Sequence, residues 1–264
     1  EYLNEYKALI GNTIYFDNLK VNYRTAGIGP VVLLMHGWLH CSRNWVITQD
    51  KIAQNGFQVV SVDLPGFGQS SEPPTDWNID KYADFITKLT IELDIKPFCL
   101  VGHSFGGRIA LKLAAQKQPI CQKVVLVDAA GMNTGRTLKQ KIVIVFSSIF
   151  SPLLNLLGPL KNTAKDFVYK AMHRRDYNEV SPRMRGVYSL AVKEDLKTTA
   201  AKIVLSTLIV WGEKDKSTPM SDALILKKLI KNSQLQIVKD SGHSPNVHKP
   251  EVLADIIINF LKND

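Results

Sequence analysis

The sequence is poor in cysteine, which limits the kinds of fold and site that it can form. It contains three cysteines, Cys41, Cys99 and Cys121, and no two of them have the Cys-x-x-Cys spacing. An odd number without that spacing gives no sign of a disulfide framework or of a zinc site. We therefore expect a reducing compartment and a cytoplasmic location.

Internal repeats and low-complexity tracts are also lacking, and the first 30 residues lack the pattern of a secretory signal. Residues 1–30 have no positively charged segment followed by an apolar one, so we expect no secretory signal there. The chain has 264 residues, of which 45% are hydrophobic and 22% charged. This length and composition are typical of a globular protein with one large α/β domain, or with a core and an inserted subdomain.

No uninterrupted apolar run is long enough for a transmembrane helix. The longest apolar stretch, residues 142–160, is interrupted by polar residues, glycine and proline. The interrupting residues are Ser147, Ser148, Ser151, Pro152, Asn155, Gly158 and Pro159. We therefore predict two short helices with apolar undersides here, rather than one membrane-spanning helix. Shallow contact with a membrane surface is the alternative.

Acidic residues are scarce in one segment, and the net charge of +9 is therefore unevenly distributed. Residues 131–205 contain 13 lysines and arginines but five acidic residues, which accounts for most of the net charge. The segment would thus form a basic surface distinct from the rest of the molecule. Such a surface attracts anionic substrates or lipid headgroups, or it is a solvated face without a specific function.

Short apolar runs alternate with segments of helical character along most of the chain. The apolar runs predict buried strands at residues 30–35, 57–62, 97–101, 123–127, 207–211 and 234–238. The helices are predicted at residues 44–55, 79–93, 108–115, 222–230 and 252–261. Before them, residues 13–25 predict a hairpin of edge strands that turns at Asp17 and Asn18. Repeated strand–helix units indicate a mainly parallel sheet with helices on both faces.

The alternation of strands and helices stops between residues 131 and 205. This segment is too long for a plain loop and too apolar for a disordered one. We predict that it is a helical cap inserted over the carboxyl end of the sheet. The core would then comprise residues 1–130 and 206–264.

The strand–helix unit around residue 104 contains the pattern Gly-x-Ser-x-Gly. Gly102 and Gly106 flank Ser104, between the strand at 97–101 and the helix at 108–115. In a nucleophile elbow the glycines let strand and helix approach closely, while the serine holds a strained backbone. The N-terminus of the helix also favours negative charge that develops at the serine. The pattern therefore predicts a nucleophilic serine.

A serine nucleophile needs a histidine that takes its proton and a carboxylate that orients the histidine. In sheets with this elbow, the acid and then the histidine follow on loops after later strands. Asp215 comes shortly after the strand at 207–211, and His243 shortly after the strand at 234–238. We therefore predict that Ser104, His243 and Asp215 lie together.

Five motifs carry a resemblance to a known superfamily. They are His36-Gly37-Trp38, residues 63–70, the elbow, Gly212-Glu213-Lys214-Asp215 and Gly242-His243. Over nearly its whole length the chain resembles the cap-bearing branch of the α/β-hydrolase fold superfamily. The resemblance implies a mainly parallel sheet of eight strands, with helices on both faces and an inserted cap.

The resemblance also implies a role for each site residue. Ser104 would be the nucleophile, His243 the general acid and base, and Asp215 the group that fixes the histidine tautomer. The oxyanion hole would consist of the backbone N–H groups of Trp38 and Phe105. These roles require neither a cofactor nor a metal.

Other polar residues near the motifs have competing interpretations. Asp128 ends the strand after the elbow helix and is the alternative acid of the site. His103 is adjacent to the serine, but its side chain is expected to point the opposite way. His36 and Asp63 favour roles in bracing loops. Arg108 fits a salt bridge on the helix surface, or a contact with a substrate carboxylate.

The sequence thus predicts a serine hydrolase, in the first instance a carboxylesterase that acts on small to medium esters through an acyl-enzyme at Ser104. A hydrolase of C–C bonds in β-diketone-type products is the alternative enzyme. A ligand-binding protein that keeps the triad with negligible turnover, and a lipase-like enzyme of membrane surfaces, are further alternatives. We expect a small-molecule substrate, no nucleic acid partner, and a monomer or homodimer.

Overall fold

The computed structural model describes residues 11–132 and 179–263, and within them it forms an eight-stranded sheet. The strands are β1 (Gly11–Phe16), β2 (Leu19–Ala26), β3 (Val31–Met35), β4 (Gln58–Val62), β5 (Pro97–His103), β6 (Lys123–Val127), β7 (Ser206–Gly212) and β8 (Ser233–Val238). Their order across the sheet is β1-β2-β4-β3-β5-β6-β7-β8. The predicted sheet of eight strands is therefore confirmed.

Strands β3 to β8 run parallel to one another, whereas β2 runs antiparallel to both of its neighbours, β1 and β4. The apolar runs explain this arrangement, because a strand covered by helices on both faces has no polar side to expose. Every residue of β3 and β6 is buried. The predicted hairpin is present, but only β1 is an edge strand. The prediction of two edge strands was wrong, since β2 also pairs with β4.

Helices cover both faces of the sheet. They are α1 (Val46–Gln54), α2 (Ile79–Glu92), α3 (Phe105–Ala114), α4 (Pro182–Lys193), α5 (Lys197–Ala200), α6 (Met220–Leu229), α7 (Pro245–His248) and α8 (Pro250–Lys262). One apolar cluster joins the sheet to α2, α3, α4 and α6. A second cluster joins the other face to α1 and α8.

Most of the predicted cap cannot be compared with the fold. Residues 133–178, which include the two helices predicted at 142–160, lie outside the described residues. Residues 179–205 contain α4 and α5, and Met184 and Val187 of α4 are buried against the core. The boundaries of a cap at 131–205 stay a prediction. In the described parts of the chain, no helix is both long and apolar enough to cross a bilayer.

The parallel strands place the sequence motifs along one edge of the sheet. Strands β3, β5, β6, β7 and β8 all end at that edge, in the order of the sheet. His36, Ser104 and Asp128 directly follow β3, β5 and β6, and the loops after β7 and β8 carry Asp215 and His243. Residues far apart in sequence therefore meet at the carboxyl ends of these strands.

Candidate active site

Ser104 occupies a sharp turn between β5 and α3. Its backbone has φ +48° and ψ −104°, a conformation that L-residues rarely adopt. Two hydrogen bonds hold the turn in place. The Ser104 N–H donates to the Val127 carbonyl at 3.0 Å, and the Ala130 N–H donates to the Ser104 carbonyl at 3.1 Å. Both partners belong to β6 or the loop after it, so the neighbouring strand fixes the serine.

The two glycines of the elbow are required by close backbone contacts. A Cβ atom added to Gly102 would lie 2.4 Å from the Gly106 carbonyl oxygen. A Cβ atom added to Gly106 would lie 2.4 Å from the Met35 carbonyl oxygen. Neither site therefore has room for a side chain. Helix α3 can therefore approach β5 and β3 closely.

The hydroxyl of Ser104, the imidazole of His243 and the carboxylate of Asp215 form a continuous hydrogen-bonded series. His243 Nε2 lies 2.9 Å from Ser104 Oγ, and His243 Nδ1 lies 2.8 Å from Asp215 Oδ2. The Asp215 side chain is fully buried, while 26% of the His243 side chain is exposed. With Nδ1–H donating to Asp215, the lone pair of Nε2 faces the serine hydroxyl.

Asp215 is fixed by the turn that follows it. Its Oδ1 accepts hydrogen bonds from the N–H groups of Ser217 at 2.7 Å and Thr218 at 3.0 Å. The Thr218 hydroxyl donates to Oδ2 at 2.5 Å. Burial alone would raise the pKa of Asp215, but the hydrogen bond to His243, the His243 charge and the Thr218 bonds together lower that pKa. Asp215 is therefore ionised. Thr218 was not predicted as a site residue, although an aspartate whose side chain accepts hydrogen bonds from the N–H groups two and three residues ahead is a recognisable pattern.

His103 connects the serine turn to the loop that bears His243. It is buried, and its Nε2–H donates to the His243 backbone carbonyl at 2.6 Å. Burial and the neighbouring histidines hold the pKa of His103 well below its usual range, so the ring is neutral. His103 thus holds the backbone of the histidine loop and does not contact the serine hydroxyl.

His36 and Asp63 brace the loops around the site, as the sequence analysis favoured. His36 Nδ1–H donates to the Gly37 carbonyl at 2.7 Å, and its Nε2 accepts from the Leu64 N–H at 3.0 Å. Burial lowers the pKa of His36 to about 4, so the ring is neutral in this role. The Asp63 carboxylate accepts hydrogen bonds from Asn22 Nδ2 at 2.9 Å and from backbone N–H groups, of which that of Ser42 lies at 2.6 Å.

The loop 36–38 and the start of α3 both approach Ser104. A Cβ atom added to Gly37 would lie 3.3 Å from Ser104 Cβ, so the backbone just before Trp38 passes beside the serine. Phe105 is the first residue of α3, where N–H groups have no acceptor within the helix. The rings of Trp38 and Phe105 are also in contact, with centroids 5.3 Å apart. Gly37 and Phe105 thus flank Ser104, and the oxyanion hole at the N–H groups of Trp38 and Phe105 stays a prediction.

Arg108 and Tyr188 link the site to α4 and the chain that follows it. Arg108 is buried, and its Nη1–H donates to the Glu194 backbone carbonyl at 3.1 Å. Neither interpretation from the sequence describes this contact, because the partner is a carbonyl and not a carboxylate. Tyr188 lies on α4 with its ring centroid 5.1 Å from that of Trp38. No pattern in the sequence points to Tyr188.

Asp128, the alternative acid, does not reach the histidine. Its Oδ1 accepts a hydrogen bond from the Gly212 N–H at 2.8 Å, whereas His243 Nδ1 bonds to Asp215. Within residues 11–132 and 179–263, no group of three histidine, cysteine, aspartate or glutamate side chains is arranged to hold a metal ion.

A serine and a histidine hydrogen-bonded to a buried aspartate, at the carboxyl ends of such a sheet, define the class of α/β serine hydrolases. A family model described as alpha/beta hydrolase fold matches residues 30–151. An uncharacterized protein of Mycobacterium tuberculosis is 30% identical, over 90% of this chain and 77% of its own. The chain belongs to the α/β-hydrolase fold superfamily.

Two further relatives carry the names of different hydrolases. A 2-hydroxymuconate semialdehyde hydrolase of Pseudomonas is 27% identical, with 96% of this chain and 94% of the relative covered. A human monoacylglycerol lipase is 28% identical, and the match covers 89% of this chain and 76% of the lipase. Among solved structures, a bacterial membrane phospholipase A has a TM-score of 0.76 at 24% identity. The match covers 97% of this chain and 87% of the phospholipase chain. This last likeness concerns the fold.

Proposed function

We propose that the protein is a carboxylesterase that cleaves small to medium esters through an acyl-enzyme at Ser104. The supporting observation is the hydrogen-bonded series of Ser104, His243 and Asp215, with distances of 2.9 and 2.8 Å. These distances are within the range in which a base accepts a proton directly. Ser104 is the nucleophile, His243 the general base and acid, and Asp215 the residue that fixes the tautomer.

In the first half of the reaction, Ser104 Oγ attacks the ester carbonyl carbon while its proton passes to His243 Nε2. The resulting imidazolium is stabilised by the Asp215 carboxylate at Nδ1. When the C–O bond to the leaving group breaks, Nε2–H gives its proton to the departing alkoxide. The products of this half are a free alcohol and an acyl group on Ser104.

In the second half, a water molecule attacks the acyl carbon and passes a proton to His243 Nε2. The acyl–oxygen bond to the serine then breaks, and Nε2–H returns a proton to Ser104 Oγ. The backbone N–H groups of Trp38 and Phe105 donate to the oxyanion in both halves. Loss of one such donor lowers kcat by roughly 10²–10³ in serine hydrolases, which indicates the scale of this contribution.

Labelling with a fluorophosphonate probe and a panel of p-nitrophenyl esters of increasing acyl length test the proposal. We expect the wild type to be labelled and to hydrolyse short and medium esters best. Ser104→Ala should lose both properties, and Asp215→Asn should lower kcat about 10⁴-fold because the histidine takes the wrong tautomer. Labelling that persists in Ser104→Ala, or a wild type that neither reacts nor hydrolyses, would contradict the proposal. The second result would favour a ligand-binding protein.

A second candidate is hydrolysis of a C–C bond in a β-diketone-type product. It is supported by the similarity to the semialdehyde hydrolase, which extends over 96% of this chain. The same serine, histidine and aspartate would serve that reaction. The ester panel should be run beside an aromatic ring-fission product at matched concentrations. A kcat/KM that is higher for the ring-fission product than for every ester would favour the second candidate.

A further inference from the structure

Asp128 is a buried carboxyl group at the base of the site, and the reaction described above does not use it. It directly follows β6, its solvent exposure is 0%, and its backbone has φ +42°. This left-handed conformation carries a cost for an aspartate, so the fold constrains the direction of the carboxyl group. Its Oδ1 accepts a hydrogen bond from the Gly212 N–H at 2.8 Å.

Asp128 and Asp215 lie close together on either side of one hydroxyl group, because Thr218 Oγ1 is 3.3 Å from the Asp128 backbone carbonyl oxygen and 2.5 Å from Asp215 Oδ2. No donor in the described part of the chain gives a hydrogen bond to Asp128 Oδ2, although this atom is buried. Burial raises the pKa of Asp128 to about 9, the Gly212 N–H opposes this shift, and the nearby Asp215 carboxylate adds to it. Asp128 is therefore protonated at neutral pH.

The two aspartates thus differ in charge although they are neighbours. The pKa of Asp215 is lowered by His243 and Thr218 despite its burial, and that of Asp128 is raised. Together they hold one proton and one negative charge. His243 Nδ1 is hydrogen-bonded to the Asp215 carboxylate, and His103, at the end of the adjacent strand β5, is kept neutral by burial. The surroundings of Asp128 therefore favour a neutral acid beside an ionised Asp215.

We propose that Asp128 is a positioning residue, whose neutral carboxyl group donates a hydrogen bond from Oδ2 to the Asp215 carboxylate and so holds that carboxylate in line with His243. Its effect on turnover rests on the proposed function. A hydrogen bond between a neutral acid and a carboxylate is charge-assisted and stronger than one between neutral groups. The proton stays on Asp128 throughout the reaction, so no change in redox or covalent state is involved.

Two substitutions distinguish a neutral hydrogen-bond donor at position 128 from a second carboxylate there. Asp128→Asn keeps a neutral side chain whose oxygen accepts from Gly212 and whose N–H₂ donates to Asp215. We expect it to keep kcat within about threefold of wild type at pH 7, whereas Asp128→Ala should lower kcat about tenfold or more with little change in KM. If Asp128→Asn loses as much as Asp128→Ala, the proposal is wrong. Asp84→Asn, at an exposed site on α2, is the control for loss of a carboxyl group.

The pH dependence of activity distinguishes this positioning role from a merely structural one. As the pH rises through about 9, Asp128 ionises, which removes the donor and places two negative charges side by side. Wild-type kcat/KM should therefore fall about tenfold across this range. Asp128→Asn has no proton to lose there and should lack this fall. An identical alkaline fall in both proteins would contradict the proposal.

Infrared difference spectroscopy tests the proton without any substrate. At pH 7 the wild type should show a C=O band of a protonated carboxylic acid that is absent from Asp128→Asn and retained in Asp84→Asn. If Asp128→Asn leaves that region of the spectrum unchanged, Asp128 is ionised and the proposal fails. A protein with this band but without hydrolytic activity would contradict the proposed function while supporting the neutral acid, so the two failures are distinguishable.

Discussion

Ser104 must satisfy two demands that conflict, a stable backbone and an accessible hydroxyl. Its φ of +48° is in the region that glycine tolerates and other residues avoid. Such a conformation costs about 1–3 kcal/mol. The hydrogen bonds of Ser104 with Val127 and Ala130 hold the turn in spite of this cost. The strain is the condition that lets the hydroxyl project towards His243.

Replacing the serine by glycine should therefore stabilise the protein while it abolishes turnover. We expect Ser104→Gly to raise the free energy of unfolding by about 1 kcal/mol, because glycine relieves the strain but loses more entropy on folding. Chemical denaturation measures this change. Ser104→Ala is the matched control, since it removes the hydroxyl and keeps a Cβ atom at the same φ. If Ser104→Gly is less stable than Ser104→Ala, the backbone of Ser104 is not strained and the prediction is wrong.

Individual residues of the site were predictable from sequence to different degrees. Ser104, Asp215 and His243 occur in short motifs after apolar runs, and the structure joins them by hydrogen bonds. The protonation of Asp128 could not be predicted, since it depends on burial and on a carboxylate supplied by another strand. Tyr188 escaped notice because nothing in the sequence around α4 relates it to Trp38.

At the scale of elements, Arg108 fastens the segment after α4 to the elbow helix. Its guanidinium is buried, and Nη1–H donates to the carbonyl of Glu194. Burial lowers the pKa of Arg108 to about 10, with the charge of Glu194 opposing the shift, so the side chain remains charged at neutral pH. A hydrogen bond from a charged group contributes more to stability than one between neutral groups, about 1.5–3 kcal/mol. Helix α3 thus carries both the serine turn and a contact to the chain after α4.

Arg108→Met should loosen this attachment. We expect the free energy of unfolding to fall by about 1.5–3 kcal/mol, because the Glu194 carbonyl loses its charged donor. Urea denaturation provides the measurement, and Lys117→Met, an exposed site just beyond the end of α3, is the matched control. Equal stabilities of the two variants would show that the buried guanidinium contributes nothing to the connection.

The elements themselves followed closely from hydrophobic periodicity. Every residue of β3 and β6 is buried, with no alternation between buried and exposed positions. This is expected for strands that helices cover on both faces. The position of β2 was less predictable, because its alternating pattern is equally compatible with an edge strand. Its place beside β4 depends on backbone hydrogen bonds, and no residue type in the sequence indicates this pairing. The local sequence pattern thus predicted whether a segment is a strand or a helix better than it predicted which strands lie next to each other.

At the scale of the whole molecule, the raised pKa of Asp128 links stability to pH. In the folded protein this pKa is about 9, whereas an unfolded aspartate titrates near pH 4. Between these values the folded state binds one proton more than the unfolded state. The free energy of unfolding must therefore fall as the pH rises through this window. The contribution of Asp128 is fully present below about pH 4 and is lost as the pH approaches 9.

Asp128→Asn removes this dependence, since asparagine does not titrate. The stability of Asp128→Asn relative to wild type should therefore increase between pH 5 and pH 8, by at most about 1.4 kcal/mol per pH unit. Urea denaturation at each pH measures the difference. Asp215 does not interfere, because its pKa is lowered and it is ionised in both states across this range. Asp84→Asn should follow the wild type, and an Asp128→Asn curve parallel to both would mean that the folded protein holds Asp128 as a carboxylate.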